Sequence, residues 1–333
     1  MTHPTRRRMM IAGIGAALGI SAVAFARRQG LGLHKRLGVA FGTAVSLTVL
    51  HAESRIANAA LDAGFAEIRA VEKVASLLDT DSDICRLNRD GMIQNPDARL
   101  LAMLHQSTYL AGLTGGAFDV SVQPYWLAWA SAKAQGLAPS KDELQAATVR
   151  VGQQHIVIDR QTVRFARPGM GITLNGIARG YATGAVMDIV RGRGIEHAFL
   201  DIDEIGANGS HEDRPWTFAI QHPRHPGKHL GRVAPLSGFL STSGDYATTF
   251  SPDFRDNHIF MPDTGRSPTE LSSATVISPN GAMADGLSTA LMILGAERGL
   301  ALLQGLPGAH AVLVRKNGEV LVSPGAPFVA EAA

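Results

Sequence analysis

The sequence predicts a single domain of α+β or mixed α/β class following an N-terminal export signal. Two observations carry that expectation. Apolar residues recur with a period of two in some stretches and of about 3.6 in others, and the two kinds of stretch are mixed rather than strictly alternating. No internal repeat or long low-complexity linker divides the chain, so residues 38–324 read as one unit, preceded by a linker at 27–37 and followed by a tail at 325–333. With 333 residues, 45% hydrophobic and 18% charged, the composition is that of an ordinary globular protein.

The first 26 residues have the layout of a signal peptide. "TRRRMM" supplies a charged start, "MIAGIGAALGISAVAF" an apolar stretch, and "AFA", ending at Ala26, a small-x-small cleavage site. A retained membrane anchor is the alternative reading of the same run. The paired arginines point to the twin-arginine route and a periplasmic protein. "GIGAALG" is no dinucleotide motif, because no strand precedes it. Of the 31 basic residues, Arg6, Arg7 and Arg8 lie in this leader, leaving 28 against 29 acidic ones. A near-neutral protein with no basic stripe interleaved with aromatics is not built for nucleic acid. The single cysteine, Cys85, excludes an internal disulfide and a cysteine-based zinc site, and is expected to be buried and inert.

After the linker, "VAFGTAVSLTVLH" alternates as one strand, and residues 52–78 place Ile56, Ala60, Phe65, Ile68, Val71 and Val74 at helical spacing. "LLDTDSDICRLN" reads as a helix exit and an acidic loop. Residues 100–113 form a second helix, stopped by Gly115-Gly116. "HIVIDRQTVRFA" is a hairpin, "IARGYATGAVMDIVRGRG" a helix, and "HAFLDI" and "WTFAI" are strands. "AVLVRKNGEVLV" is a hairpin whose Asn317-Gly318 turn accepts positive φ. "STSGDY" reads as a tight turn.

The stretch "GAMADGLSTALMILG" (281–295) is an apolar helix carrying a polar stripe. Asp285, Ser288 and Thr289 share one face. A carboxylate in apolar company must be paired or bind a cation. The residues alone leave two readings open: a helix-terminal cap, or oxygen ligands for a divalent ion. His258 is likewise either a general base or a hydrogen-bonded turn residue.

Six motifs in order, "GTAVSLTV", "DSDICRLN", "TGGAFDVSVQP", "LNGIARGYA", "STSGDYATTF" with "HIFMPDTG", and "ADGLSTALMILG", resemble the ApbE family of FAD:protein FMN transferases across residues 38–324. The resemblance implies an ApbE-like domain that uses FAD as substrate and Mg2+ as metal. It would transfer FMN to a Thr hydroxyl of an acceptor flavoprotein and release AMP. An FAD pyrophosphatase giving FMN and AMP, and a periplasmic FAD-binding protein without turnover, are the alternatives. By resemblance, Asp285, Thr289 and the main chain of Gly176 bind magnesium. Phe41, Ala117, Phe118, Asp119, Thr173, Arg179, Ser243 and Asp245 line the FAD site, and His258 is the catalytic base. Thr173 stands where the family usually has Asp, Met261 replaces the Asp of the His motif, and Asp203-Glu204 falls where the family tends to have glycines. The leader and the compact "DIDEIGANG" loop resemble the NosX branch, which implies a membrane-associated, NosR-like acceptor.

Overall fold

The computed structural model describes residues 30–211 and 214–331; the expected export signal lies outside them. Along the chain come β1 (Gly32–Ala40), β2 (Thr43–His51), α1 (Ser54–Ala75), α2 (Asp83–Asp90), β3 (Met92–Gln94), α3 (Ala98–Leu113), α4 (Gln123–Ala134), α5 (Lys141–Thr148), β4 (Ile156–Ile158) and β5 (Thr162–Phe165). The second half holds α6 (Ala178–Arg191), β6 (His197–Asp201), β7 (Ile205–Asn208), β8 (Ser210–His211), β9 (Arg214–Gln221), β10 (His229–Leu236) and β11 (Gly238–Gly244). It closes with β12 (Leu271–Ser278), α7 (Gly281–Leu294), α8 (Ala296–Gln304), β13 (His310–Arg315), β14 (Val320–Val322) and β15 (Phe328–Ala330).

An eight-stranded sheet ordered β1-β2-β6-β7-β11-β12-β13-β14 forms the spine, and its strand pairs are antiparallel. That places the fold in the α+β class. Helices α1, α6 and α7 cover one face. The four-stranded sheet β15-β10-β9-β8 covers part of the other, where Trp216, Ile220, Val233 and Leu236 meet Ile205, Leu240, Ile277 and Val312. Strand β12 lies between the two layers, and all eight of its residues are buried. A strand covered on both faces loses the polar alternation that half-buried strands show.

Five expectations change. The run read as one strand is a hairpin: Phe41 (φ 51°) and Gly42 (φ 72°) make a left-handed two-residue turn, and the supposed linker residues 32–37 belong to β1. The aromatic Phe41 in the first turn position hid this signal. The acidic loop at Asp83 is helix α2, capped by Ser82, whose Oγ accepts the Cys85 N–H at 3.1 Å. The "STSG" turn is the end of β11, and the turn begins only at Asp245. The tail is not free, since Phe328–Ala330 pairs with β10. Cys85 is half-buried, and its thiol points at the Ser76 carbonyl, 3.5 Å away.

The contact that positions the site is the crossing of α6 and α7. A Cβ on Gly180 would sit 2.3 Å from the Gly281 carbonyl oxygen and 2.5 Å from Asp285 Cβ. The two backbones therefore touch only because both positions are glycine. Gly180→Ala should destabilise the protein by about 1–3 kcal/mol, since backbone cannot yield as a side chain can. Gly184→Ala, one turn on, meets nothing within 4 Å and should be neutral or stabilising by up to about 1 kcal/mol. Urea denaturation of the pair checks both signs.

Candidate active site

Asp285 does not cap its own helix. Asn280 does, accepting the Met283 N–H at 2.9 Å. Asp285 instead reaches across the crossing and accepts the Gly180 N–H at 2.9 Å. Gly180 is in the first turn of α6, whose N-cap, Ile177, has no side chain to satisfy the free N–H groups. The carboxylate of one helix thus terminates the other and meets the positive end of its dipole. Asp285 is only 3% exposed, and burial pushes its pKa up to about 6 against the pull of Arg179 and the Gly180 N–H.

Around Asp285 lies a group of charges that the sequence did not assemble. Arg179 Nε is 3.3 Å from Asp203 Oδ2 and 3.7 Å from Glu204 Oε1, within ion-pair range. Burial works against the Arg179 charge, but Glu204, Asp203 and Asp285 more than offset it, so its pKa is raised. Glu204 is buried, and its pKa is well above the ordinary carboxylate range, first from desolvation and then from the charge of Asp285. Its Oε2 has no hydrogen-bond partner, nor has Arg179 Nε. Three carboxylates share one guanidinium, so the cluster lacks positive charge.

Beside it runs a layer of hydroxyls. Ser243 Oγ is 2.7 Å from Ser288 Oγ and 3.1 Å from Thr289 Oγ1, and Ser288 donates to the Asp285 carbonyl at 2.8 Å. A Cβ built on Gly176 would lie 3.2 Å from Thr289 Oγ1 and 3.5 Å from the Phe118 ring. Gly176, Asp285, Thr289, Ser243, Arg179 and Phe118 therefore lie close together. Ala117 is buried beside Phe118, whose N–H donates to Thr114 Oγ1 at 3.0 Å. Thr173 is half-buried at the start of the turn that leads to Gly176. Its Oγ1 accepts the Asn175 N–H at 3.3 Å. Phe41, at the hairpin tip, donates its N–H to Glu72 Oε1 at 2.6 Å.

Two predicted ligands are engaged elsewhere. Asp245 is fully buried and bidentate to Arg224, at 2.7 Å for each oxygen, with Lys316 Nζ 3.7 Å away. Asp119 gives one oxygen to the N–H and hydroxyl of Ser121, at 2.7 and 2.6 Å, and the other to the Gln153 N–H at 3.0 Å. Both carboxylates hold loops in place. Their partners are distant in sequence or unremarkable in type, so no motif announces them.

His258 lies on the loop between β11 and β12. The Thr248 carbonyl accepts its backbone N–H at 3.1 Å and lies 3.1 Å from Nδ1. A carbonyl only accepts, so Nδ1 is the donor of this bond. The Asp that Met261 replaces is not needed to make this bond. Met261 instead closes a turn, donating to the Arg266 carbonyl at 2.8 Å and accepting from Gly265 at 2.9 Å.

The profile of the ApbE family matches residues 41–314. The chain belongs to the ApbE family. Among its relatives, the FAD:protein FMN transferase of Vibrio cholerae is 31% identical over 248 residues, covering 71% of this chain and 74% of that protein. The Escherichia coli FAD:protein FMN transferase is 28% identical, with 76% of each chain covered. The solved flavin transferase ApbE from Vibrio cholerae superposes with a TM-score of 0.76 at 26% identity, over 90% of this chain and 100% of that one. The apo flavinyl transferase ApbE from Pseudomonas stutzeri gives 0.77 at 29% identity, over 88% and 95%.

The donors around Asp285 fit magnesium, a hard cation that takes oxygen ligands. Among the described residues no three His, Cys, Asp or Glu side chains gather into a metal site. One carboxylate, one hydroxyl and one carbonyl make an incomplete shell, which phosphate oxygens of a nucleotide would complete. The raised pKa of Asp285 sets a sign for the metal-free protein. The native state holds the proton more tightly than the unfolded chain, so ionising Asp285 costs stability as pH rises from the ordinary carboxylate value of 3.8 to about 6. Asp285→Asn keeps an acceptor for Gly180. It should be more stable than the parent above pH 6 by roughly 1–3 kcal/mol, with the difference gone below about pH 4. Urea melts without metal across that range check it.

Proposed function

We propose that this chain is a magnesium-dependent transferase that moves FMN from FAD to a Thr hydroxyl of an acceptor flavoprotein in the periplasm. The coarser activity, flavin transfer from FAD to a protein, is that of its ApbE relatives and of this chain. What supports the finer reading is the convergence of Asp285, Thr289 and Gly176 beside a buried cluster short of positive charge.

In this mechanism Asp285, Thr289 and the Gly176 main chain would hold the ion. When bound, it neutralises pyrophosphate charge and favours departure of the phosphate leaving group. Arg179, in the first turn of α6, offers its guanidinium to the same anion. The acceptor Thr Oγ attacks the phosphorus next to riboflavin, a new O–P bond forms, the bond to the AMP oxygen breaks, and AMP leaves. His258 Nε2 takes the Thr proton, since Nδ1 is the nitrogen that faces the Thr248 carbonyl. Positioning and electrostatics supply most of the acceleration.

The acceptor is a membrane-associated flavoprotein of the NosR-like kind, following the NosX-like leader and loop. The protein is incubated with FAD, magnesium and the flavin-carrying domain of such an acceptor, and the acceptor is weighed. A mass gain of one FMN with one AMP released is the expected result. Free FMN and AMP would mean hydrolysis by water, and no product would mean a binder. Asp285→Ala should abolish transfer, and transfer at the parental rate would place the metal site elsewhere. His258→Ala should slow transfer about 100- to 10,000-fold with FAD affinity nearly unchanged. Transfer by the parent protein should fall as the imidazole protonates at acid pH. Replacing Arg6, Arg7 and Arg8 with Lys should trap the precursor inside the cell; periplasmic arrival would point to the general secretion route.

A further inference from the structure

Near the end of α2, both polar atoms of the Asn88 amide engage one residue 84 positions away. Asn88 Oδ1 accepts the Ile172 N–H at 2.7 Å, and Nδ2 donates to the Ile172 carbonyl at 2.8 Å. A primary amide that bonds both backbone groups of one residue does what a neighbouring strand would do. Residues 170–176 have no such strand, because they lie outside every sheet. Ile172 is buried, so without Asn88 its N–H and carbonyl would be costly orphans.

From Ile172 to α6 the chain has little slack. The Thr173 N–H donates to the Val120 carbonyl at 2.8 Å, and the Asn175 N–H donates to Thr173 Oγ1 at 3.3 Å. The Leu174 carbonyl accepts the N–H groups of Ile177 and Ala178 at 3.0 and 2.8 Å. Leu174 and Ile177 are buried. Just before this run, a Cβ on Gly171 would lie 3.5 Å from Gln123 and 3.6 Å from Asn88 Oδ1, so the segment passes between α2 and the start of α4. Gly176 lies inside the run of turns, beside Thr289 Oγ1, and Arg179 and Gly180 follow it on α6. A displacement of Ile172 is therefore passed on to the Gly176 main chain. Gly176 and Thr289 belong to different elements, the lead-in to α6 and α7, so their separation depends on what holds the lead-in.

We infer that Asn88 is a positioning residue that sets the Gly176 main chain against Thr289 and Asp285 for the cation. The inference rests on the reading of those three as the metal site. Hydrogen-bond partners behind metal ligands fix the orientation of those ligands, and losing one typically weakens metal binding about 10- to 100-fold. Asn88→Leu keeps the bulk and removes both bonds. Asn88→Asp keeps an acceptor for the Ile172 N–H but sets a second acceptor against the Ile172 carbonyl. Ile84→Val is the control: it removes one buried methyl from the same helix and leaves the amide in place. Magnesium is titrated into each protein saturated with FAD, without acceptor, and the change in flavin fluorescence reads the metal affinity. Single-turnover transfer to the flavin-carrying domain of a NosR-like protein, at varied magnesium, reads the rate. FAD affinity without magnesium and urea stability are measured alongside.

Both Asn88 variants should bind magnesium about 10- to 100-fold more weakly than the parent. At saturating magnesium their transfer rate should return to within about threefold of the parent, with metal-free FAD affinity within about twofold. Ile84→Val should keep the parental magnesium affinity even where it loses as much stability. Should Asn88→Leu fail to fold, Asn88→Asp decides alone. Parental magnesium affinity in the Asn88 variants would overturn the inference, as would an equal loss in Ile84→Val or a transfer rate that saturating magnesium does not restore. An Asp285→Ala protein that binds magnesium and transfers FMN like the parent would remove the metal reading itself. An inactive Asp285→Ala beside Asn88 variants of parental magnesium affinity would remove only the positioning role.

Discussion

The site depends on one interaction, the hydrogen bond from the Gly180 N–H to the Asp285 carboxylate across two helices in backbone contact. It does three things at once. It satisfies an N–H at the start of α6 that no local side chain reaches. It holds Asp285 in a buried position where ionisation is costly without further positive charge. It also brings Arg179, the residue before Gly180, toward the same carboxylate. The close approach of glycines makes the bond possible, and the bond in turn fixes where a cation would sit. Stability and ligand affinity are therefore opposed at Asp285: the burial that makes its charge costly is what a bound cation would relieve.

The departures at Asp203 and Glu204 acquire a physical meaning in this setting. Asp203 has a left-handed backbone (φ 69°), a conformation that glycine adopts without strain and Asp tolerates better than most residues. Its carboxylate, with that of Glu204, faces Arg179. The loop thus adds acidic side chains to the surroundings of Arg179, which the Asp285 charge also reaches. Near an anionic substrate such an arrangement would call for added positive charge.

Much of the fold was legible in the sequence because local signals and tertiary contacts agree. The Asn317-Gly318 hairpin, the helix at 178–191 and the glycine stop after α3 all form as their residues suggest. The misreadings share a cause. A hairpin turn with Phe41 in its first position lacks the usual Asn or Asp; α2 is eight residues long and mostly polar; β15 has only three residues and exists through its pairing with β10. Each is decided by contacts that no window of sequence contains.

The site divides along the same line. Asp285 and Thr289 were legible because a polar pair one helical turn apart in an apolar helix demands an explanation, and the hydroxyl layer from β11 confirms that the face is shared. Asp119 and Asp245 carry the same residue type in equally suggestive motifs, yet one caps a turn and the other is bound to Arg224. A carboxylate's type and motif do not reveal whether its oxygens are already committed; the partners do, and Arg224 and Lys316 lie 21 and 71 positions from Asp245 in the chain. The same reasoning applies to His258. The sequence offered Met261 as a missing orienting group, but orientation requires only an acceptor at the right place, and the backbone carbonyl of Thr248 serves. Where a motif loses a side chain, the geometry it enforced can persist through the main chain.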